Sequence, residues 1–179
     1  MDMFQNGNEL YFAKVRPTAK IPTKKEENAG YDIYADFEEE ERLIAAHDTV
    51  LIPTGIAVAV SPGYYLQVEE RGSTGSKGIK KSAGVIDSGY RGEIFIAITN
   101  ANDADVVITK VKKDGSPWTN LHATNASRRS YIIIYPYEKA IAQLVVHEVP
   151  KMDVKEISFE ELQEISSERG AGALGSSGK

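Results

Sequence analysis

Short apolar runs rich in β-branched residues recur along the chain, and turn-forming residues separate them. The runs lie at 10–15, 49–53, 55–60, 64–70, 93–99, 105–111, 131–136 and 140–149. Runs of this length bounded by Gly, Pro, Asn or Asp are typical of β-strands. Pro53, Pro62 and Pro136 are expected at strand ends or turns. Because short strands must bury their apolar faces against one another, the pattern predicts an all-β sandwich or jelly roll.

One helix is predicted near the carboxyl end. Ser158 and Glu161 have the spacing of a capping box, and Phe159, Leu162 and Ile165 would share one helical face. Beyond it, the stretch SSERGAGALGSSGK is mostly Gly, Ala and Ser. Such a segment cannot bury enough apolar surface to fold alone. We therefore expect one β domain over 1–165 and a flexible arm over 166–179.

The composition and net charge exclude several classes of functional site and binding partner. The length of 179 residues suits one domain with a substantial core, and the lack of Cys excludes disulfides, thiolate metal sites and Cys nucleophiles. The net charge of −5 argues against direct binding to nucleic-acid backbones, although local donors could still hold a small anion. No apolar stretch approaches the ~20 residues that span a bilayer, and no signal-peptide pattern is present. We expect a cytoplasmic protein without membrane contact.

The stretch RGSTGSKG at 71–78 is rich in groups that hold phosphates, but it is not a P-loop. A P-loop requires Gly, four residues, Gly-Lys, and then Ser or Thr. Here Lys77 follows Ser76, and Gly78 stands where Ser or Thr belongs. Any phosphate bound here must be held in another way, for which Arg71 is a candidate through bidentate hydrogen bonds.

Two other stretches contain candidate catalytic, ligand-binding or metal-binding residues. AGVIDSGYRGEI at 83–94 predicts a tight β-hairpin with Asp87, Ser88 and Tyr90 at its tip. Its backbone could read the edge of a heterocycle, with Asp87 as a general base and Tyr90 under a ring, but a plain Asp-Ser-Gly turn has the same pattern. In NAGYDIYADF at 28–37, Asp32 lies among apolar residues, where a carboxylate needs either a cationic partner or a metal.

Five short blocks, taken in order, resemble the trimeric dUTP pyrophosphatase (dUTPase) family. They are AGYDIYA (29–35), RGSTGSKGI (71–79), GVIDSGYRGEI (84–94), KAIAQLV (139–145) and RGAGALGSSG (169–178). The resemblance implies a jelly-roll homotrimer whose three sites each draw residues from all three chains. It also implies hydrolysis of dUTP to dUMP and pyrophosphate, which keeps uracil out of DNA and supplies dUMP.

The resemblance further implies which residues act on the base, sugar and metal. Asp87 matches the base that activates the attacking water, and Tyr90 matches the aromatic residue under the deoxyribose. Gly84 and Ile86 would lie beside uracil, leaving no room for a thymine methyl group. Asp32 matches the residue that reaches Mg²⁺ through water.

The remaining blocks are implied to hold the phosphates and to cover the nucleotide. The second block would hold the triphosphate through Arg71, Gly72, Ser73 and Thr74. Gln143 of the fourth block would lie close to the phosphates. The fifth block would close over the site through Arg169, Leu174, Ser176 and Ser177. Gly72 stands where the family usually has a Ser that donates to the leaving group, and Leu174 where it usually has a stacking Phe. The loss of one such donor costs roughly 3 kcal/mol, or about 100-fold in rate.

The connection between the third and fourth blocks is longer than is usual in the family, so part of 101–137 is expected to be an insert. Some phage-encoded dUTPases carry an insert here, and certain of them bind repressor proteins of mobile elements. An alternative function is therefore a regulatory protein-binding trimer, with contacts at Trp118, Arg128, Arg129 and Tyr131. A third alternative, dCTP deamination, would need a different acid–base set at the base ring.

Overall fold

The computed structural model describes residue 4 and residues 7–111, 132–168 and 170. The chain divides into two compact units, Met1–Val149 and Pro150–Lys179. Several residues predicted to function lie outside the described residues. These are Trp118, Arg128, Arg129 and Tyr131 of the insert, and Arg169, Leu174, Ser176 and Ser177 of the arm.

Among the described residues of the first unit, the regular secondary structure is β-strand apart from one helical turn. Its strands are β1 (Leu10–Lys14), β2 (Gly30–Ile33), β3 (Glu41–Ile44), β4 (Thr49–Val60), β5 (Tyr64–Glu69), β6 (Ile79–Lys81), β7 (Val85–Asp87), β8 (Glu93–Asn100), β9 (Asp105–Thr109), β10 (Ile132–Pro136) and β11 (Ala142–Glu148). One helical turn, α1 (Gly72–Gly75), follows β5. The predicted all-β fold class is confirmed.

Three sheets enclose a single apolar core. Their strand orders are β1-β4-β8-β6, β10-β9-β3 and β2-β11-β5-β7. The fully buried side chains alternate along the strands, as sheets with one buried face require, and include Ile33, Ile44, Ile52, Ile56, Leu66, Ile94, Ile96, Ile98 and Leu144. Strands β9 and β10 pair in parallel, with Ile133 opposite Val106. A parallel pair needs a connection of a dozen or more residues, which 110–131 provides.

The structure corrects two expectations about strand boundaries. Pro53 does not end a strand, because β4 runs through it with a register shift between Pro53 and Ala57. The predicted β-hairpin at 84–94 is also wrong. Strand β7 pairs with β5 and strand β8 pairs with β4 and β6, so the two strands flanking the turn belong to different sheets. The segment 87–93, called here the 87–93 turn, carries the chain from one sheet to the other.

The second unit contains the predicted helix, α2 (Phe159–Glu164). Its capping box is formed: Glu161 N donates to Ser158 Oγ at 3.1 Å, and Ser158 N donates to Glu161 Oε2 at 2.8 Å. Together these bonds satisfy backbone donors that the first helical turn leaves unpaired. Among the described residues, no helix has the length and apolar character needed to cross a bilayer.

Candidate functional site

Strand pairing brings the first, second and fourth blocks together. Antiparallel pairing of β2 with β11 places Asp32 opposite Gln143, and pairing of β11 with β5 places Gln143 opposite Glu69. Arg71 lies two residues beyond the end of β5, and its Nε and Nη2 donate to the two oxygens of Asp32 at 2.8 and 3.2 Å. This bidentate pair fixes the plane of the guanidinium group. We call Asp32, Arg71, Ser73 and Gln143 the Arg71 cluster.

Gln143 is held in this cluster by its neighbours. Its Nε2 donates to the backbone oxygen of Glu70 at 2.9 Å, beside Arg71. The side chain passes directly over Gly30: a β-carbon there would lie 2.5 Å from Gln143 Oε1 and 2.9 Å from Gln143 Cβ. Only glycine leaves room for this close approach, so Gly30 of the first block sets the position of Gln143.

The turn α1 presents backbone and hydroxyl groups next to Arg71. Thr74 is buried, and its hydroxyl donates to Arg71 O at 2.9 Å and accepts from Arg71 N at 3.1 Å. Thr74 therefore shapes the turn, and direct contact of its hydroxyl with a phosphate stays a prediction. Ser73 is exposed, and Gly72 has no heavy atom within 4 Å of the position that a β-carbon would occupy.

The third block forms a separate pocket, called here the Asp87 pocket. Its volume is about 240 Å³, and its lining includes Ile86, Asp87, Tyr90 and Phe95. Ile86 is buried, whereas Asp87 is exposed and Tyr90 keeps 44% of its surface exposed. The volume lies below the ~300 Å³ at which complete small-molecule sites begin. The pocket is therefore large enough for one ring, and it opens to solvent.

Hydrogen bonds hold the 87–93 turn in one shape. Tyr90 N donates to Asp87 O at 3.0 Å, and the Tyr90 hydroxyl donates to Glu93 O at 2.8 Å. Arg91 Nη1 donates to Ser88 O at 2.5 Å and to Tyr90 O at 2.7 Å. Gly84 immediately precedes β7, and its carbonyl accepts a hydrogen bond from Val68 N of β5 at 2.8 Å.

An ion network anchors the end of the 87–93 turn. Arg16 donates from Nε to Asp36 Oδ2 at 2.8 Å and from Nη1 to Glu93 Oε2 at 3.0 Å. Glu93 also accepts from Gly55 N at 2.8 Å. The hydrogen bond with Arg16, together with that from Gly55, holds the pKa of the Glu93 carboxyl below its usual value. Gly55 adopts a φ of 64°, a left-handed conformation that suits glycine.

The Arg71 cluster and the Asp87 pocket lie at opposite ends of β5. Asp87 is the register partner of Tyr65 near the start of the strand, while Arg71 follows its last residue, Glu69. Arg71 lies six positions after Tyr65, which corresponds to about 20 Å of extended chain at ~3.3 Å per residue. Within the described ranges, no hydrogen bond or ion pair joins Asp87 or Tyr90 to the Arg71 cluster.

The acidic residues do not form a cage for a metal. No group of three or more His, Asp or Glu side chains within 7–111 and 132–168 is placed to hold an ion. Asp32 is the only acid of the Arg71 cluster among the described residues, and Arg71 contacts both of its oxygens. One carboxylate suits Mg²⁺ that keeps its waters and takes its other ligands from substrate phosphates.

Sequence patterns did not identify every residue that shapes these two sites. Arg16 and Glu93 are 77 positions apart, so their contact does not follow from local spacing, and Arg91 binds nearby backbone oxygens, which no side-chain pattern indicates. Glu93 was part of the third block, and its position after an Arg-Gly pair was the one available signal.

Comparison with known proteins connects these features to one family. The model of the dUTPase family matches residues 17–114. The deoxyuridine 5'-triphosphate nucleotidohydrolase of Candida albicans is 36% identical over 165 residues, which cover 91% of this chain and 84% of that protein. A mutant dUTPase of Staphylococcus bacteriophage 80alpha, solved with dUpNHpp, is 25% identical, covers 96% of this chain and 99% of its own, and has a TM-score of 0.69.

A second solved structure has a similar fold. A mutant dUTPase from phage phi11 of S. aureus covers 86% of this chain and 99% of its own, with a TM-score of 0.63 and 24% identity. That structure reveals the coordination of a structural Mg(II) ion in the phage protein.

Proposed function

This chain belongs to the dUTPase family, and on that premise we propose that it hydrolyses dUTP to dUMP and pyrophosphate. The observation that carries the proposal is the Arg71 cluster. Blocks that are distant in the sequence meet there, so that one guanidinium fixed by Asp32 lies beside an exposed turn and Gln143. Asp32 holds the Nε and Nη2 edge of this guanidinium, so Nη1 faces the backbone and hydroxyl groups of α1, and together they suit the binding of a triphosphate.

In the proposed reaction, water attacks the α-phosphorus of dUTP. Asp87 orients this water and accepts its proton, the new P–O bond forms, and the bond between the α-phosphorus and its bridging oxygen breaks to release pyrophosphate. A well-placed base contributes about 100- to 10,000-fold to such a step. Arg71, Ser73 and the amides of α1 hold the phosphates, and Gln143 lies next to them.

Selectivity is assigned to the Asp87 pocket. Gly84 and Ile86 lie beside the uracil ring, and Tyr90 lies under the deoxyribose, where a 2′-hydroxyl would clash. The hydrogen bond from the Tyr90 hydroxyl to Glu93 O supports this role, because it fixes the ring while leaving much of its surface exposed. A ring held in a fixed position excludes a 2′-hydroxyl better than a mobile ring does.

Mg²⁺ is proposed to enter with the nucleotide. Asp32 would hold the ion through water, while Arg71 keeps the carboxylate oriented. When bound, the ion would offset the charge of the triphosphate and fix its conformation. Chelation by EDTA should abolish pyrophosphate release, and added Mg²⁺ should restore it; undiminished release in EDTA would contradict this part of the proposal.

We propose that the active unit is a homotrimer in which one chain supplies the Asp87 pocket and another supplies the Arg71 cluster. Two observations support a shared site. The two sets of residues lie at opposite ends of β5, and the described lining of the Asp87 pocket contains no Lys or Arg that could hold the phosphates. The arm residues Arg169, Leu174, Ser176 and Ser177 would complete the site from the third chain, as the family resemblance implies.

Complementation between two inactive variants tests the shared site. Asp87→Asn removes the base and Arg71→Ala removes the phosphate donor, and each variant alone should be inactive. After co-refolding in equal amounts, three quarters of the trimers would be mixed, and each would hold one site with both native residues. The expected rate is about a quarter of the wild-type rate. No recovery, in a mixture proven to contain mixed trimers, would place both residues in one chain's site and contradict the proposal.

A further inference from the structure

Tyr135 on β10 reaches from the core to the Arg71 cluster. Its side chain is 2% exposed, and its ring borders a small apolar void with Thr74, Ile79 and Ile98. Its hydroxyl donates to the backbone oxygen of Ala140 at 2.6 Å. In the sequence Tyr135 looked like one more residue of an apolar strand.

The same carbonyl oxygen is also approached by Arg71. Arg71 Nη1 lies 3.4 Å from Ala140 O and 3.4 Å from Ser73 Oγ, both long for hydrogen bonds. The Nε and Nη2 atoms, by contrast, are bound closely by Asp32. Nη1 is therefore the guanidinium nitrogen with the weakest partners in this structure, and it is the nitrogen next to Ser73 and α1.

Burial raises the pKa of Tyr135, although the Arg71 charge acts in the opposite direction. The hydroxyl accordingly stays protonated at neutral pH and continues to donate. Ala140 is also buried. Its carbonyl needs a donor, because a buried unpaired acceptor is costly. Tyr135 supplies that donor at short range.

We propose that Tyr135 is a positioning residue for Arg71: its hydroxyl occupies the Ala140 carbonyl, and this leaves Nη1 available for a phosphate oxygen of the nucleotide. The inference rests on the proposed function, since it assigns Arg71 to the triphosphate. Without the hydroxyl, Nη1 is the nearest remaining donor for the buried carbonyl. Arg71 would then turn towards Ala140 and away from the ligand.

Tyr137 provides a matched control. It lies two residues further along the chain, and its hydroxyl donates to Asp36 Oδ1 at 3.3 Å, in the ion network of Arg16. Tyr135→Phe and Tyr137→Phe therefore remove the same atom from neighbouring positions. Only the first removes a group next to Arg71.

The test compares binding of a non-hydrolysable imido analogue of dUTP with binding of deoxyuridine, which has no phosphate. Calorimetry in Mg²⁺ on wild type, Tyr135→Phe and Tyr137→Phe gives both affinities, and thermal unfolding checks that each variant is folded. We expect Tyr135→Phe to weaken analogue binding about 5- to 10-fold and to leave deoxyuridine binding unchanged. Tyr137→Phe acts on the network that anchors the 87–93 turn and not on Arg71, so it should leave the ratio of the two affinities unchanged.

Unchanged analogue binding in Tyr135→Phe would overturn the inference. So would an equal loss for both ligands, or the same selective loss of analogue binding in Tyr137→Phe, since either result would indicate a general structural effect. A wild-type protein that binds neither ligand would refute the proposed function, and the role of Tyr135 with it. Hydrolysis of dUTP by wild type, with no difference in Tyr135→Phe, would leave the function standing and reject only the positioning role.

Discussion

Replacing Arg16 by Met should destabilise the protein strongly, because two carboxylates depend on this one cation. The side chains of Asp36 and Glu93 are only 3% and 14% exposed, and both pair with Arg16. Removing one partner of a buried ion pair costs about 3–5 kcal/mol, since the remaining charge is left uncompensated. Because 31% of the Arg16 side chain is exposed, water can reach part of the vacated space. We therefore expect a loss of about 2–3 kcal/mol in the free energy of unfolding.

Arg42→Met is the matched control. Arg42 pairs with Glu39, whose side chain is 56% exposed, so its loss should cost about 1 kcal/mol or less. Urea unfolding of both variants at one protein concentration measures the difference, since an oligomer's apparent stability depends on concentration. If Arg16→Met were no less stable than Arg42→Met, the argument that the network anchors the 87–93 turn would be refuted.

The ion network of Arg16, Asp36 and Glu93 also predicts that the free energy of unfolding depends on pH. The folded-state pKa of Glu93 is lowered, mainly by its hydrogen bond with Arg16. A carboxyl group of this kind stabilises the fold above its unfolded-state pKa, near ~4.3, and loses that contribution as the pH falls through the folded-state value. The stability gap between wild type and Glu93→Gln should be full at pH 7 and should shrink below about pH 4. A gap that is constant with pH would contradict this assignment.

Two further substitutions test the Arg71 cluster. Gly72→Ser should raise kcat by up to about 100-fold, because it restores a hydroxyl donor where the family usually has one, and Gly72→Ala should not; both residues fit, since nothing lies within 4 Å of the new β-carbon. Equal rates for the two variants would exclude a role for the hydroxyl. Gly30→Ala should lower kcat/KM about 10-fold or more by displacing Gln143. Steady-state kinetics would contradict that assignment if kcat/KM stayed at the wild-type value in a folded protein.

Much of the fold could be predicted because strand periodicity is local. Runs of alternating or continuous apolar residues located β1, β5, β8, β9 and β11, and the capping residues located α2. The short strands β2, β3, β6 and β7 are only three or four residues long, which is too short for periodicity to identify them. The parallel pairing of β9 with β10 depends on tertiary contacts that no local pattern encodes.

The residues of the candidate site could be predicted from the sequence blocks, but their positions relative to one another could not. The residues Asp32, Arg71 and Gln143 came from three separate blocks, and sheet register is what brings them together. The 84–94 stretch looked like a hairpin because it has a turn between two apolar runs. Its strands pair elsewhere, since each has a longer partner in a different sheet.

Other features could be found only from contacts. Tyr135 had the pattern of a core residue, and its hydroxyl bond to Ala140 depends on the turn that joins β10 to β11. Arg16 belongs to none of the five blocks, and its ion pairs with Asp36 and Glu93 depend on tertiary contacts. The regulatory alternative, with contacts at Trp118, Arg128, Arg129 and Tyr131, stays a prediction.

The central claim is tested most directly by pyrophosphate release in Mg²⁺ from dUTP, dCTP, dTTP and UTP, measured side by side for wild type and Asp87→Asn. We expect release from dUTP alone, and we expect that release to be lost in Asp87→Asn. Release from all four nucleotides would contradict the assigned selectivity, and undiminished release in Asp87→Asn would remove Asp87 from the role of base. No release from any nucleotide by the wild-type protein would contradict the proposed function itself.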